Sequence, residues 1–335
     1  MLTDEFGPAK IQANATLGWE DGLYISRDGL HLFAFYAPID VLKFGMFVST
    51  QAPGCIDSTP FLRGPLLGMD FTTNPYGCKN VMHSDIVHAS RASINDDFGP
   101  WALTVFREPA VWEGEPVIID NGDGTFDFIY DRSTDDNMDD LYWLRNSSDF
   151  NPVSAEGQQP FPMPPNSQDE EGNPHVERLG ADDMILMYDN DVDGLPDITI
   201  KYSISRDNGV SWTVAKELNT VNSASPVDVQ GHLWQDGSGN WWIYFASVRG
   251  SEGKREIYRA RHKTNDLLGD FDDFGDAEKV IGTGSVSDGS GTIEGMGDPT
   301  LTSNGDISFT VVVCRKDDPT YSRCDIDPWM VRRKP

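Results

Sequence analysis

The sequence predicts an all-β fold: a five-bladed β-propeller of four-stranded antiparallel blades, in which an N-terminal strand closes the last blade. Two observations predict it. A motif of acidic residues followed by Phe and then Gly or Asn recurs along the chain, and the same succession of turn-bounded apolar strands returns between its copies. Repeats of roughly 50 to 70 residues are typical of propellers and arrays. The motif copies are residues 4–8, 96–100, 148–152 and 272–276, with a divergent copy at 205–212.

Each repeat begins with a strand that follows an acidic or amide residue and then Gly or Pro. Pro is tolerated there because the first residue of a strand need not donate to the ladder. These starts are Asp21-Gly22, Glu115-Pro116, Asn173-Pro174 and Asp298-Pro299, with Gly231-His232 as a match that lacks the acid. Turns rich in Gly, Asp and Asn then lead to second strands. The predicted second strands are 32–36, 126–130, 184–188, 241–245 and 307–313.

Third strands open with an acid and an aliphatic residue near positions 85, 140, 197, 256 and 325. The strand at the Phe-Gly motif is the fourth, and it completes a four-stranded blade in four repeats. The last repeat has no residues left for a fourth strand. We therefore expect residues 9–11 to pair with the last blade and remove its free edge. The chain 1–335 is then a single domain, with an insertion at 37–84 in the first blade.

Composition excludes several classes of function. Lys and Arg number 26 against 54 Asp and Glu, a net charge of -28 that repels nucleic acid and anionic membranes. No apolar run is long enough for a membrane helix, and residues 1–5 lack the features of a signal peptide. We expect a secreted or periplasmic monomer whose leader has been removed. Cys55 with Cys78, and Cys314 with Cys324, form either two disulfides or four buried thiols.

The blade order brings the starts of the first strands to one mouth of a central channel. Two carboxylates that face each other across a cleft suit glycoside hydrolysis, and like charges raise the pKa of at least one of them. The alternative is that these acids only bind backbone amides of the neighbouring blade. The residues at this mouth are Glu20, Asp21, Glu113, Glu115, Asn173, His175, Asp228, His232, Glu294 and Asp298.

Position within the repeat assigns roles at this mouth. Asp21 and Glu115 are predicted to lie closest to the chemistry, with Asp298 as a third acid that orients a partner or sets its pKa. Trp19 and Trp112 are expected to stack on a sugar ring. Three alternatives stay open for His175 and His232: a channel metal, the base of a polysaccharide lyase, or packing and backbone bonding. The predicted substrate-binding residues are Trp19, Glu20, Trp112, Glu113, His175, His232 and Glu294.

Residues 25–33 and 256–261 resemble the turn-and-strand signatures of TolB-like and WD-repeat-like β-propeller proteins. In blade number and in the Asp-Pro start of its first strands, the chain is also similar to the five-bladed arabinanase- and invertase-like glycoside hydrolases. That resemblance implies a catalytic base at Asp21 and an acid at Glu115. On the third blade, where those enzymes have an acid, this chain has His175 and Glu177.

Two further motifs stand outside the mouth. Residues 205–212 match the Asp-box pattern of sialidases, which predicts a turn locked by Asp207 under a packed Trp212; a single copy and the acidic mouth argue against a sialidase. Residues 189–197 resemble a calcium loop, because carboxylates alternate before a Gly. The alternative is a solvated acidic hairpin. The predicted Ca²⁺ ligands are Asp189, Asp191, Asp193 and Asp197.

Two classes of function therefore remain. The acidic mouth favours a glycoside hydrolase that acts on a carbohydrate, whereas the generic repeat favours a non-catalytic propeller that binds glycan or protein. A lyase that uses His175 and His232 is a less favoured third. The separation and the partners of the carboxylates discriminate between the first two.

Overall fold

The computed structural model describes residues 2–38, 64–69, 84–108, 111–133, 139–167, 169–191, 198–222, 227–250, 253–287, 289, 291–318 and 321–334. Within these residues the regular structure is β, apart from one 3-10 turn at Thr283–Ser285. None of the described helical structure is long and apolar enough to cross a membrane.

We group the described strands into five units in chain order; the strands of units 5 and 1, with β1, belong to one eight-stranded sheet. Unit 1 contains β2 (Trp19–Ile25), β3 (His31–Ala37), β4 (Asp85–Ser90) and β5 (Ala102–Leu103). Unit 2 contains β6 (Trp112–Asp120), β7 (Phe126–Ser133), β8 (Asp139–Ser147) and β9 (Gln159–Pro160). Unit 3 contains β10 (Glu170–Arg178), β11 (Met184–Asp191), β12 (Ile198–Ser205) and β13 (Lys216–Glu217). Unit 4 contains β14 (Asp228–Gln235), β15 (Trp241–Ser247), β16 (Glu256–Arg261) and β17 (Glu278–Ile281). Unit 5 contains β18 (Gly291–Leu301), β19 (Ile307–Asp318) and β20 (Tyr321–Val331).

Units 2, 3 and 4 are separate four-stranded antiparallel sheets. The N-terminal strand β1 (Lys10–Ile11) pairs antiparallel with β20 of unit 5, with Ile11 opposite Trp329. Nearby, the Gly7 amide donates to the carbonyl of Arg332 at 2.8 Å. A single parallel pair, Trp19 with Ile326, joins unit 5 to unit 1.

The first strands of the units face one another. Contacts link β2 to β6, β6 to β10, β10 to β14, β14 to β18, and β18 back to β2. Because this series of contacts is closed, the residues on the inner sides of these five strands share one axis.

Apolar side chains fill the spaces between neighbouring units. Between units 2 and 3, Trp143 stacks on Phe161 with ring centroids 4.7 Å apart, and Trp212 packs against Phe161 at 5.2 Å. The Asp-box prediction is confirmed here, since Asp207 accepts hydrogen bonds from the amide and hydroxyl of Ser211 beneath the buried Trp212. Such ring packing contributes beyond simple area burial.

Only one of the two predicted cysteine pairs lies within the described residues. Cys314 and Cys324 lie opposite each other on β19 and β20 and form a disulfide. Cys55 and Cys78 lie outside the described residues, as does most of the insertion 37–84. Its described part, residues 64–69, lies near the start of β2, where the Tyr36 hydroxyl donates to the carbonyl of Pro65 at 2.8 Å.

Candidate active site

A β-bulge interrupts every first strand. Within each bulge one residue adopts a left-handed backbone conformation, which a non-glycine residue keeps only where its surroundings hold it. Bulges also re-aim side chains, and here they direct them to the shared axis, where these residues line one pocket. The five residues, with φ between 47° and 60°, are Gly22, Glu115, Asn173, Gln230 and Asp298.

Hydrogen bonds run from one bulge to the next around the axis. The Asp298 carboxyl accepts the amide of Gly22 at 3.1 Å, and the Gln230 side chain accepts the amide of Asp298 at 3.0 Å. Glu115 likewise accepts the amide of Asn173. The axial side chains therefore join neighbouring units as well as lining the pocket.

The register changes the expected position of Asp21. Sequence reasoning placed Asp21 in the same position as Glu115 and Asp298, but Gly22 occupies that position and Asp21 precedes it. Asp21 still reaches the axis, because its carboxyl is hydrogen-bonded to that of Asp298. The Trp19 indole N–H donates to the Oδ2 of Asp21 at 3.2 Å.

Two hydrogen-bonded pairs of carboxyl groups lie at the axis. In the first, burial and then the neighbouring Asp21 raise the pKa of Asp298 well above its usual range, so Asp298 holds the shared proton. In the second, burial and then the neighbouring Asp131 raise the pKa of Glu115 well above its usual range. Burial also raises the pKa of Asp131 to about 8. Glu115 donates to Asp131, so Asp131 ionises first and Glu115 keeps its proton.

Gly22 brings the two pairs together. Its amide bonds Asp298, and a Cβ built on it would lie 2.7 Å from the Cγ of Glu115. Since real side chains do not approach so closely, only glycine leaves the Glu115 carboxyl its place beside the first pair. Asp21 and Glu115 are both part-exposed and Glu115 lines the pocket, whereas Asp298 is buried.

Sequence reasoning missed Asp131. It lies on the second strand β7, opposite Gly114 of β6, and its Oδ1 would be 2.6 Å from a Cβ on that glycine. The available signal was the glycine just before Glu115, which leaves space for an acid on the neighbouring strand. The repeat pattern pointed only at first strands.

The predicted mouth acids Glu20 and Glu113 do not belong to these carboxyl pairs. Glu20 accepts the amide and hydroxyl of Thr16, and Glu113 accepts the amide of Glu108 at 2.8 Å. Glu171, which was not predicted, accepts the amide of Ser167 at 3.1 Å. Burial raises the pKa of Glu20 well above its usual range. These carboxyls hold the segments that lead into their own strands, whereas the alternative in the sequence analysis was a bond to backbone amides of the neighbouring blade.

The histidines also bind backbone. The Nε2 of His175 accepts the amide of Leu233 at 3.1 Å, and the Nε2 of His232 accepts the amide of Leu301 at 3.2 Å. Their rings are in contact, with centroids 4.2 Å apart. Burial lowers the pKa of His175, and it lowers that of His232 well below the usual range. Both are therefore neutral groups in backbone bonds, which was the third alternative.

The remaining predicted sugar contacts do not line the axial pocket. Trp19 and Trp112 are buried in one core cluster with Phe35, so their rings pack in the interior where an open stacking surface was expected. Glu294 lies away from the carboxyl pairs, 3.3 Å from the ammonium of Lys254.

The calcium prediction falls largely outside the described residues. Asp193, Asp197 and the side chain of Asp191 lie there. Asp189 is described: both of its oxygens accept the amide of Gln230, at 2.9 and 3.0 Å, and burial raises its pKa well above the usual range. Asp189 thus belongs to the axial hydrogen bonds. Carboxylate oxygens at alternate positions remain a chemically suitable donor set for Ca²⁺.

Comparison with known proteins places the fold. No protein-family model and no curated protein sequence matches the chain. Among solved structures, the catalytic domain of a glycoside hydrolase family 62 α-L-arabinofuranosidase from Coprinopsis cinerea matches with a TM-score of 0.55 and 10% identity, covering 97% of this chain and 92% of that one. An α-L-arabinofuranosidase from Podospora anserina in complex with cellotriose gives a TM-score of 0.51 and 8% identity, covering 97% and 92%. A family 62 hydrolase in complex with xylotriose gives 0.51 and 10%, covering 98% and 96%.

At such identities the similarity shows a shared fold. The chain has the propeller-like fold of these glycoside hydrolases, as its likeness to arabinanase-type enzymes implied. The TolB-like and WD-repeat-like resemblance stays a prediction.

Proposed function

We propose that the chain is a glycoside hydrolase that cleaves a poly- or oligosaccharide with its axial carboxyl pairs, within a single five-bladed propeller that β1 closes. The observation that carries this proposal is the meeting of two hydrogen-bonded carboxyl pairs at Gly22. One neutral and one ionised carboxyl group is the combination that glycoside hydrolysis requires.

Glu115 is the proposed general acid. It is neutral because burial and the adjacent Asp131 disfavour its charge, and it is part-exposed to the pocket. A proton on Glu115 can pass to the leaving oxygen as the glycosidic bond breaks, after which the new carboxylate keeps the hydrogen bond that it accepts from the amide of Asn173.

Asp21 is the proposed base or nucleophile. It accepts hydrogen bonds from Asp298 and from the Trp19 indole, which hold its carboxylate towards the axis. Asp298 is buried and also accepts the hydroxyl of Thr310 at 3.0 Å, so its role is to position Asp21. The sequence analysis predicted the same orienting role for Asp298.

The substrate is proposed to be a neutral plant-type glycan. Two of the proteins of similar fold were solved with cellotriose and xylotriose, which makes arabinoxylan, xylan and β-glucan the first substrates to test. Secretion or periplasmic export, the monomeric state and Ca²⁺ in the 189–197 segment remain part of the proposal.

A polysaccharide panel with site variants tests the function. We expect release of reducing sugar from at least one glycan, and a loss of turnover of at least a hundredfold in Glu115→Gln and in Asp21→Asn with unchanged melting temperature. Glu294→Gln is the matched control, because Glu294 pairs with Lys254 and does not line the axial pocket. No hydrolysis of any glycan, or near-normal turnover in both variants, would contradict the proposal.

The non-catalytic alternative has its own support. Glu20, Glu113 and Glu171 are tied to backbone amides, as expected for acids that serve the scaffold. Binding of a glycan without turnover, unaffected by Glu115→Gln, would favour this reading.

A further inference from the structure

A second cavity, of about 650 Å³, lies where the first strands of units 1 to 3 end. The proposed catalytic residues lie where these strands begin. Along β6, Glu115 and Ile119 are four residues apart, a rise of roughly 13 Å, and Ile119 lines the second cavity. The cavity is therefore separate from the carboxyl pairs, although Tyr24 and His175 line both spaces.

One wall of this cavity is aromatic. His31 and Phe150 have ring centroids 4.6 Å apart, and Phe126 meets Phe150 at 5.3 Å in an edge-on arrangement. All three rings are part-exposed, in contrast to the buried Trp19 and Trp112. The open ring surface that carbohydrate stacking needs is thus found at this end of the strands.

The cations of the cavity are already engaged. Arg27 pairs with Glu177 at 2.5 Å and donates to the carbonyls of Leu233 and Leu301 at 2.9 and 3.2 Å, so it spans the end of the axial pocket. Arg178 donates to the side chains of Asn121 and Asn208 at 2.8 and 2.7 Å. Both guanidinium groups are therefore held mainly by acceptors of the protein, which disfavours their selecting an anionic ligand.

Acceptors, by contrast, are left over around the rim. The Oδ1 of Asp28 accepts the amide of Leu30, and the Oδ1 of Asp120 accepts the amide of Gly122. The Oε2 of Glu177 accepts a hydrogen bond from Arg27. The other oxygen of each of these carboxylates takes no hydrogen bond from the described residues. A ligand that donates many hydroxyl groups would satisfy them.

We propose that this cavity is a second, non-catalytic binding site for a neutral oligosaccharide. A sugar ring presents an apolar face to aromatic side chains and hydroxyl donors to carboxylate oxygens. The cavity volume lies in the range of small-molecule sites, and the net charge of -28 disfavours an anion. This inference goes beyond the proposed hydrolysis, since it needs none of the carboxyl pairs.

Calorimetric titration with xylotriose, cellotriose and arabinotriose tests the site, in a Glu115→Gln background that prevents turnover. We expect at least one trisaccharide to bind, and Phe150→Ala to weaken its affinity about fivefold or more through the lost ring face. Val153→Ala is the matched control, because Val153 lies on the same loop and is 80% exposed. Phe150→Trp should retain binding. If Phe150→Ala fails to fold, Phe150→Leu replaces it, since leucine keeps apolar volume without a ring.

The proposal is overturned if no trisaccharide binds, or if the Phe150→Ala variant binds equally well. A further variant separates this site from the proposed catalytic one. Asp21→Asn should abolish hydrolysis and leave the Phe150-dependent affinity unchanged. If Asp21→Asn weakens binding as much as Phe150→Ala does, the ligand lies at the carboxyl pairs and the second site is refuted. Absence of hydrolysis in the parent protein would leave this binding test fully informative.

Discussion

At the scale of single residues, the candidate site depends on where side chains are missing. Gly22 and Gly114 each leave a space that a carboxyl-bearing side chain fills, that of Glu115 in the first case and Asp131 in the second. Buried carboxyls brought this close share protons, because two like charges at one site repel each other. Two glycines therefore allow the arrangement that keeps Glu115 neutral.

Gly22→Ala should separate the carboxyl pairs. The new Cβ would meet Glu115 at 2.7 Å, and the position has a φ of 60°, so we expect a loss of about 2 to 5 kcal/mol of unfolding free energy and of most turnover. Gly122→Ala is the control: its φ is 76° and nothing lies within 4 Å, so only about 1 kcal/mol of backbone strain is expected. Chemical denaturation measures both, and equal losses would contradict the steric explanation.

Glu113 should make stability depend on pH. Burial raises its pKa to about 8, so the folded protein holds a proton that the unfolded chain releases above its ordinary pKa. The contribution of protonated Glu113 to the free energy of unfolding is fully present at low pH and is lost as the pH rises towards 8. Glu113→Gln keeps an acceptor for the Glu108 amide but does not titrate.

The difference in unfolding free energy between the wild type and Glu113→Gln should therefore change between pH 5 and pH 8, with the wild type losing up to about 4 kcal/mol relative to the variant. Urea denaturation of both proteins at each pH measures this difference. Parallel pH profiles would show that Glu113 is already ionised in the folded state.

The sequence could indicate some of these residues and not others. Glu115 and Asp298 could be predicted because each precedes Pro at a strand start, a position that recurs in the chain. Asp131 could not be predicted, because alternation along β7 does not reveal which inward side chain meets a glycine on the neighbouring strand. The sequence analysis assigned Asp21 to the bulge position that Gly22 occupies, because a pattern of residue types does not show where a bulge lies.

At the scale of elements, turn chemistry predicted the second strands well. Strands β7, β11, β15 and β19 begin at the predicted residues, because turns rich in Gly, Asp and Asn fix the start of a hairpin strand. The fourth strands are shorter and less regular: β9 begins at Gln159, seven residues after the 148–152 motif. An edge strand of two residues is too short to show the alternation of apolar and polar residues by which a strand is recognised.

Calcium binding is the prediction that belongs to the connection between β11 and β12. Because Asp189 bonds the amide of Gln230, the ligands are expected to come mainly from Asp191, Asp193 and Asp197. Calorimetric titration of chelator-treated protein with Ca²⁺ should show one site that Asp193→Ala abolishes. Asp182→Ala, in the preceding hairpin turn, is the control. Equal Ca²⁺ binding by the Asp193 variant would leave the acidic hairpin without a metal.

At the scale of the whole molecule, the chain folds as a series of units that each need a neighbour to bury their apolar faces. The closed series of contacts among the first strands suits this need, and so do hydrogen bonds that pass from one bulge to the next. The order of units was predictable from the repeats. Their rotation about the axis, which decides which acids meet, depends on packing that no repeat motif encodes.

Closure by the N-terminal segment should carry a large share of the stability. Beyond the β1 pairing with β20, Phe6 is buried in the cluster that contains Trp234 and Trp329, and Glu5 pairs with Arg259 at 2.6 Å. Deleting residues 1–14 would expose this cluster and leave β20 with a free edge, which invites aggregation.

A point variant measures the same dependence without removing the strand. Phe6→Ala should cost about 3 to 5 kcal/mol of unfolding free energy, the usual result for a buried phenylalanine. Leu17→Ala, in the same N-terminal region but 60% exposed, should cost under about 0.5 kcal/mol. Because Phe6 connects the N-terminus to the units at the other end of the chain, its loss should lower the midpoint of the whole unfolding transition. An unchanged melting temperature in both Phe6→Ala and the 1–14 deletion would mean that the ring of units is stable without its N-terminal closure.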